Sequence, residues 1–184
     1  METVFEPKFI WLDSVDSTNS YCMKLAQSGE PEGLVVASSF QKQGRGQRGN
    51  RWESECGKNL TFSLLLRPSF MKVEEQFDIS KIVALSISDW LKNNNVDACI
   101  KWPNDIYVGD KKIAGILIEN SFCSSTLDVS IIGIGLNLNQ TEFPSEVTNP
   151  ISMKLLTGRQ YEPEVALSEL IVSIQMRYLQ LHYG

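Results

Sequence analysis

Apolar residues along the 184-residue chain change their spacing several times, and each change predicts an element. Phe9 to Leu12 is a short apolar run that reads as a strand. Asp16-Ser17-Thr18-Asn19 follows, a set of side chains suited to capping a helix N-terminus. Tyr21, Cys22, Leu25 and Ala26 then fall at helical spacing, and Gly29 with Pro31 predicts the stop. Leu34 to Phe40 and Asn59 to Leu66 read as strands, the second closed by Pro68. From Asp78 to Leu91, the residues Ile79, Ile82, Val83, Ile87, Trp90 and Leu91 mark one face of a helix that Asn93-Asn94-Asn95 ends. A second long helix spans Pro163 to Leu181, with Leu167, Leu170, Ile171, Ile174, Tyr178 and Leu181 on its apolar face.

Between the two long helices the signals are those of strands. Ile106-Tyr107-Val108, Gly109-Asp110 and Lys111-Lys112-Ile113 form a two-residue hairpin pattern. Leu127 to Leu138 is a long strand whose apolar parity switches between Ile131 and Ile132, which requires a bulge or burial of both faces. Gly133 and Gly135 inside it predict that another group packs close to the backbone. This order predicts an α+β fold: a largely antiparallel, mixed sheet with helices on one side. Without repeats, low-complexity tracts or linkers, residues 1–184 read as one domain.

Composition narrows the function. With 42% hydrophobic and 21% charged residues the chain is of ordinary globular type, and its net charge of −5 argues against non-specific nucleic-acid binding. Cys22, Cys56, Cys99 and Cys123 are widely spaced, as expected of reduced cytosolic thiols rather than a zinc site. The acidic N-terminus lacks the features of a signal peptide, and no apolar run approaches the ~20 residues of a membrane helix. A cytoplasmic protein with no membrane partner is expected. His182 is the only histidine, so catalysis through a histidine-activated nucleophile is not expected.

Against that acidic background, Gly44-Arg45-Gly46-Gln47-Arg48-Gly49-Asn50-Arg51-Trp52 stands out, with three glycines, three arginines and a tryptophan. Glycines let backbone N–H groups wrap a ligand, arginines offer forked donors to phosphate or carboxylate, and an indole offers a flat face. A solvated turn or a nucleic-acid patch could share this composition. The loop is not a Walker A sequence, and it leads into a strand rather than the helix of a dinucleotide fingerprint. The hairpin adds geometry: Val108 should pair with Lys111 and Tyr107 with Lys112. That places Asp105 diagonally across from Lys112, roughly 7 Å away. Taken singly, Lys112 could be a solvated lysine, Asp105 a turn cap, and Trp52 and Trp102 core aromatics.

Together these runs resemble a known family. Lys101-Trp102-Pro103-Asn104-Asp105, then Lys112-Ile113-Ala114-Gly115-Ile116-Leu117-Ile118-Glu119, is similar to the signature of biotin protein ligases (biotin–[acetyl-CoA-carboxylase] ligases). The Gly44–Trp52 loop with Asn59-Leu60 and Ser63, the Asp16-Ser17-Thr18-Asn19 run, and Gly133-Ile134-Gly135-Leu136-Asn137 resemble the same family in the same order. The resemblance implies a biotin/lipoate ligase fold, like that of class II synthetases. It also implies a two-step reaction in which biotin and MgATP form biotinoyl-5′-AMP and the acyl group passes to a lysine of a biotin carboxyl carrier protein. Ser17, Thr18, Asn19 and Gln41 would contact biotin, while Gly44 and Arg45 would close over biotin and phosphate. Lys112 would lie between the biotin carboxylate and the α-phosphate, and Gly115 would let biotin approach the backbone. Arg48, Arg51, Trp52 and Asn137 would serve the adenylate, and Asn104 and Asp105 would shape the site or place Mg²⁺, with no direct protein metal site.

The chain departs from the family pattern in its loop and at its ends. The family often carries arginine at the fourth and seventh loop positions, which here are Gln47 and Asn50. Weaker retention of the activated intermediate is therefore expected. With the sequence read as beginning at Met1 and stopping at Gly184, neither a DNA-binding domain before Phe9, and so no DNA partner, nor the family's small C-terminal β-barrel after Leu181 is expected. The resemblance leaves monomer and homodimer both open. A lipoate-type ligase and a biotin-binding module without catalysis are the rival readings.

Overall fold

The computed structural model describes residues 4–183. β1 (Lys8–Leu12) leads into α1 (Thr18–Gln27), and β2 (Leu34–Ser38) returns parallel to β1. β3 (Leu60–Leu66), α2 (Phe77–Asn93), β4 (Cys99–Lys101) and β5 (Asp105–Val108) follow. Then come β6 (Lys111–Cys123), β7 (Thr126–Leu136), α3 (Met153–Thr157) and α4 (Pro163–Tyr183). The strands form one seven-stranded sheet in the order β1-β2-β3-β7-β6-β5-β4, antiparallel except for β1–β2.

Side-chain alternation sets the layers. Val35, Ala37, Leu60, Phe62, Leu64, Ile132, Ile134 and Leu136 join one core with Ile79, Val83, Ile87 and Leu91 of α2 and Leu167, Leu170, Ile171 and Ile174 of α4. Leu34, Val36, Leu65, Val129 and Ile131 face the other way, against Cys22 and Ala26 of α1. Each aliphatic side chain fully buried here stabilises the fold by roughly 1.5–3 kcal/mol. Both faces of β7 are therefore covered, which accounts for the parity switch. Pairing runs through Leu65↔Ile131 and Leu64↔Ile132 without a bulge.

The α+β class and mostly antiparallel sheet match the sequence expectation. The two long helices share one face, tied together by Trp90 Nε1 donating to Glu169 at 2.8 Å and Arg177 Nε donating to Asp89 at 2.7 Å. α1 lies on the other face, because a parallel β1–β2 pair needs a crossover, and this helix is the crossover. Burial there pushes the Cys22 thiol up to about 12, whereas Cys56, Cys99 and Cys123 are exposed and all four are free. No helix of the described residues is long and apolar enough to cross a membrane.

Candidate active site

The β5–β6 hairpin starts as its sequence predicts, with Val108 opposite Lys111 and Tyr107 opposite Lys112. The register then shifts. Ile106 faces Ala114 and Asp105 faces Gly115, so Ile113 is the extra residue of a bulge. The physical reason lies in Ile113 and Ala114, which are adjacent yet both join the same core on the side of α2 and α4, an arrangement that unbroken alternation does not allow. The bulge resets parity, so Lys112 and Gly115, three residues apart, share the face that carries α1. Lys112 Nζ lies 2.7 Å from Asp105 Oδ1. The expected Lys112–Asp105 neighbourhood is thus present, but through a bulge and not through the diagonal of a regular ladder.

The Lys112 backbone is held on its free side as well. Its N–H donates to Asn149 O at 2.7 Å, and Ile151 N donates to Lys112 O at 3.0 Å. Asn137 stands behind this clamp: its N–H donates to Ile113 O, and its side-chain amide donates to Ile151 O at 3.0 Å. Asn137 is buried by these contacts and lies outside the pocket lining.

A cavity of about 320 Å³ opens beside Lys112, a size suited to a small-molecule ligand. The start of α1 supplies Ser17, Thr18 and Asn19, and Gln41 lies beside them. The Gly/Arg loop supplies Arg45, Arg48, Arg51 and Trp52, and the turn before β5 supplies Asn104 and Asp105. Gly115, Gly133 and Gly135 form the floor. Gly44 sits at the loop's rim and outside this lining. It packs against its own loop, where a Cβ would come 2.4 Å from Trp52 O.

The glycine floor answers the prediction of close packing. A Cβ on Gly133 would lie 2.3 Å from Asn19 Oδ1, and one on Gly135 would lie 2.2 Å from the Trp52 ring. Trp52 also covers Gly115, and Lys112 Nζ lies 5.7 Å from the indole centroid. The Trp52 Nε1–H is buried with no hydrogen-bond partner among the described residues, a donor placed for an acceptor on a ligand. Trp102 corrects the core-aromatic expectation. It is 74% exposed, because it sits in the tight turn joining β4 to β5, where no layer covers it.

At the polar end, Ser17 caps α1. Thr18 N and Oγ1 both donate to Gln41 Oε1, at 2.8 and 3.1 Å. That use of its oxygen leaves the Gln41 NH₂ as the group free to donate to a ligand. Ser63, fully buried on β3, donates to Asn19 Oδ1 at 2.5 Å. In the loop, Gly46 N donates to Asn50 O at 2.7 Å around a single 3₁₀ turn, Gln47–Gly49. Arg48 is left-handed there, with φ +55°, a conformation costing a non-glycine residue roughly 1–2 kcal/mol. Arg45 reaches out of the loop to Glu119, with NH1 and NH2 at 3.0 and 2.7 Å from its two oxygens. The sequence reading assigned no role to Glu119. Alternation from Gly115 through Leu117 to Glu119 was the signal that could have placed it on the pocket face.

The resulting pocket has a smooth floor for a flat or elongated apolar body, donors at one end and cations at the other. Among the described residues no group of three or more His, Cys, Asp or Glu side chains could hold a metal ion. Asp105 is the one acidic residue in the lining of the main cavity.

Comparison with known proteins follows the same lines. A family model described as the Biotin/lipoate A/B protein ligase family matches residues 11–137. A Paracoccus denitrificans protein named biotin–[acetyl-CoA-carboxylase] ligase is 34% identical over 181 residues, covering 94% of this chain and 74% of its own length. The Bacillus subtilis bifunctional ligase/repressor BirA is 30% identical over 173 residues, covering 92% of this chain. The chain spans only about half, 53%, of that relative's length. The solved biotin protein ligase from Aquifex aeolicus in complex with biotin and ATP superposes with a TM-score of 0.83 at 30% identity. That match covers 98% of this chain and 73% of the solved one.

Proposed function

From the premise that the chain belongs to the biotin/lipoate A/B protein ligase family, we propose that it activates biotin with MgATP to biotinoyl-5′-AMP and transfers biotin to a lysine of a carrier protein. The observation that carries this reading is the placing of Lys112. Its ammonium stands at the junction between the glycine floor and the cationic loop, 2.7 Å from Asp105 and with its backbone clamped on both sides. A carboxylate attacking an α-phosphate needs alignment and charge neutralisation rather than a protein nucleophile. A chain whose one histidine, His182, lies far from the pocket can supply both.

In this reading the biotin ring lies against Gly115 and Gly133, with the Gln41 amide and the hydroxyls of Ser17 and Thr18 as polar partners. Asn19 stays committed to Ser63 and Glu119 and shapes the wall. The carboxylate points to Lys112. Arg45, Arg48 and Arg51 face the phosphates, and Trp52 covers the adenylate. Asn137 serves the adenylate side by holding the Lys112 clamp. Mg²⁺ enters with the triphosphate; Asp105 orients Lys112, and Asn104, tied to Ile116, shapes the site beside it or helps to place the metal. In the second step the attacking amine belongs to the carrier protein and AMP departs. The Gly44–Trp52 loop and the Trp102-Pro103-Asn104-Asp105 run favour biotin over lipoate.

The direct test mixes the chain with biotin, ATP and Mg²⁺ in the absence of carrier. Biotinoyl-AMP and pyrophosphate in equal amounts are expected; bound biotin without adenylate would favour a binding module. The loop gives a second expected result. Arginine at position 47 would add a cation where Gln47 now lines the pocket, so Gln47→Arg should slow biotinoyl-AMP dissociation by about threefold to tenfold. Equal off-rates would show that Arg48 and Arg51 already supply that charge.

A further inference from the structure

We infer that Glu119 is a positioning residue: by gripping Arg45 it latches the Gly/Arg loop shut over the pocket and sets how long the activated intermediate is retained. The retention part rests on the proposed function; the latch does not.

Glu119 stands on β6, in the sheet, whereas Arg45 stands in the loop. Both carboxylate oxygens are engaged, Oε1 by Arg45 NH1 at 3.0 Å and Oε2 by NH2 at 2.7 Å. Oε2 also accepts from Asn19 Nδ2 at 2.8 Å. Asn19 is 3% exposed, donates as well to Leu117 O at 3.2 Å, and accepts from Ser63. A buried chain of hydrogen bonds therefore runs from the pocket floor to the carboxylate and fixes its direction before Arg45 arrives. Forked guanidinium–carboxylate pairing adds directional preference to the charge attraction.

The loop's other arginines have no such grip. Arg51 donates to Lys42 O at 3.3 Å and lies 3.9 Å from Glu53, close to it in sequence. Arg48 forms no ion pair among those described. Arg45–Glu119 is the described ion pair that joins loop to sheet. Arg45 also forms the backbone bridge to Arg51 that closes the loop on itself, so fixing Arg45 fixes the neighbourhood of Trp52. Glu119 itself lines the outer mouth and not the main cavity. A carboxylate in direct contact with an anionic adenylate would repel it, so its action passes through Arg45.

The test uses Glu119→Gln, which keeps the shape and removes the charge from a side chain that is 34% exposed. In the absence of substrates, trypsin should cut after Arg48 about fivefold faster than in the parent protein. With substrates, biotin KM and the rate of biotinoyl-AMP escape should rise by a similar factor, while saturated pyrophosphate release stays within about twofold. Loss of sheet integrity alone would not produce that split. The charge-swapped pair Arg45→Glu with Glu119→Arg should recover protection of Arg48 relative to either single change. Cleavage unchanged in Glu119→Gln, or a swapped pair as open as the single variants, overturns the latch whatever the activity. A loop that opens in Glu119→Gln, in a parent protein that forms no adenylate, upholds the latch and counts against the proposed reaction.

Discussion

Lys112→Ala should slow formation of biotinoyl-AMP by about 100-fold or more while leaving biotin affinity within about tenfold. The asymmetry follows from the structure. Lys112 is held by backbone bonds to Asn149 and Ile151, and its ammonium sits against Asp105 above Gly115. A cation prepositioned in this way needs little reorganisation when charge builds between carboxylate and α-phosphate, so its largest effect is on the transition state. In the proposed reading biotin also meets the glycine floor and the Gln41 end, so ground-state affinity should depend on Lys112 only in part. Removing Lys112 leaves Asp105 without its charge partner, which adds repulsion toward an anionic substrate. Single-turnover pyrophosphate release and calorimetric biotin binding separate the two effects. Equal losses in both would show that Lys112 only binds.

The second large effect is expected from a single methyl group. Gly133→Ala should weaken biotin binding by about 10- to 100-fold and destabilise the fold by about 1–3 kcal/mol, the usual range for overpacking. The new Cβ would fall 2.3 Å from Asn19 Oδ1. A flexible side chain could move aside, but Asn19 is held by Ser63, Leu117 O and Glu119. Yielding would break the hydrogen-bond chain leading to Arg45 and shift the first turn of α1, where Ser17 and Thr18 sit. Calorimetry with biotin and a thermal melt read the two components. Unchanged affinity with a lowered melting temperature would confine Gly133 to packing and remove it from the pocket floor.

The longer elements were legible in the chain because their signals are local, whereas β4 (Cys99–Lys101) and α3 (Met153–Thr157) are too short to show a period. Ser17 as a cap, Pro163 at the start of the last helix and Gly109-Asp110 as a turn act within a few residues of where they stand. Gly133 and Gly135 could be read as places of close approach, since a side chain missing from a buried strand leaves room for something else. What fills each place could not be read. Asn19 comes from a crossover helix and Trp52 from a distant loop, and neither contact leaves a trace in the spacing of β7.

The hairpin shows the same limit. Its turn and first two pairs follow from local chemistry, but the bulge at Ile113 arises because α2 and α4 bury two successive residues on one face. The exposure of Trp102 likewise depends on which layers cover the β4–β5 turn. Glu119 was visible as part of a run but not as a partner of Arg45, 74 residues away.

By itself, then, the sequence determined the α+β class, the order of the longer strands and helices, the residue types available for chemistry and the resemblance to a ligase family. Periodicity, caps and turns are properties of neighbouring residues, and they carry that much. Only the tertiary structure decided the face on which α1 lies, the bulged register that joins Lys112 to Asp105 over Gly115, and the pairing of Arg45 with Glu119. It also turned Asn137 toward the Lys112 clamp and away from the cavity. These depend on long-range packing, in which burial of apolar faces selects one register and one layering among several that the same local signals allow.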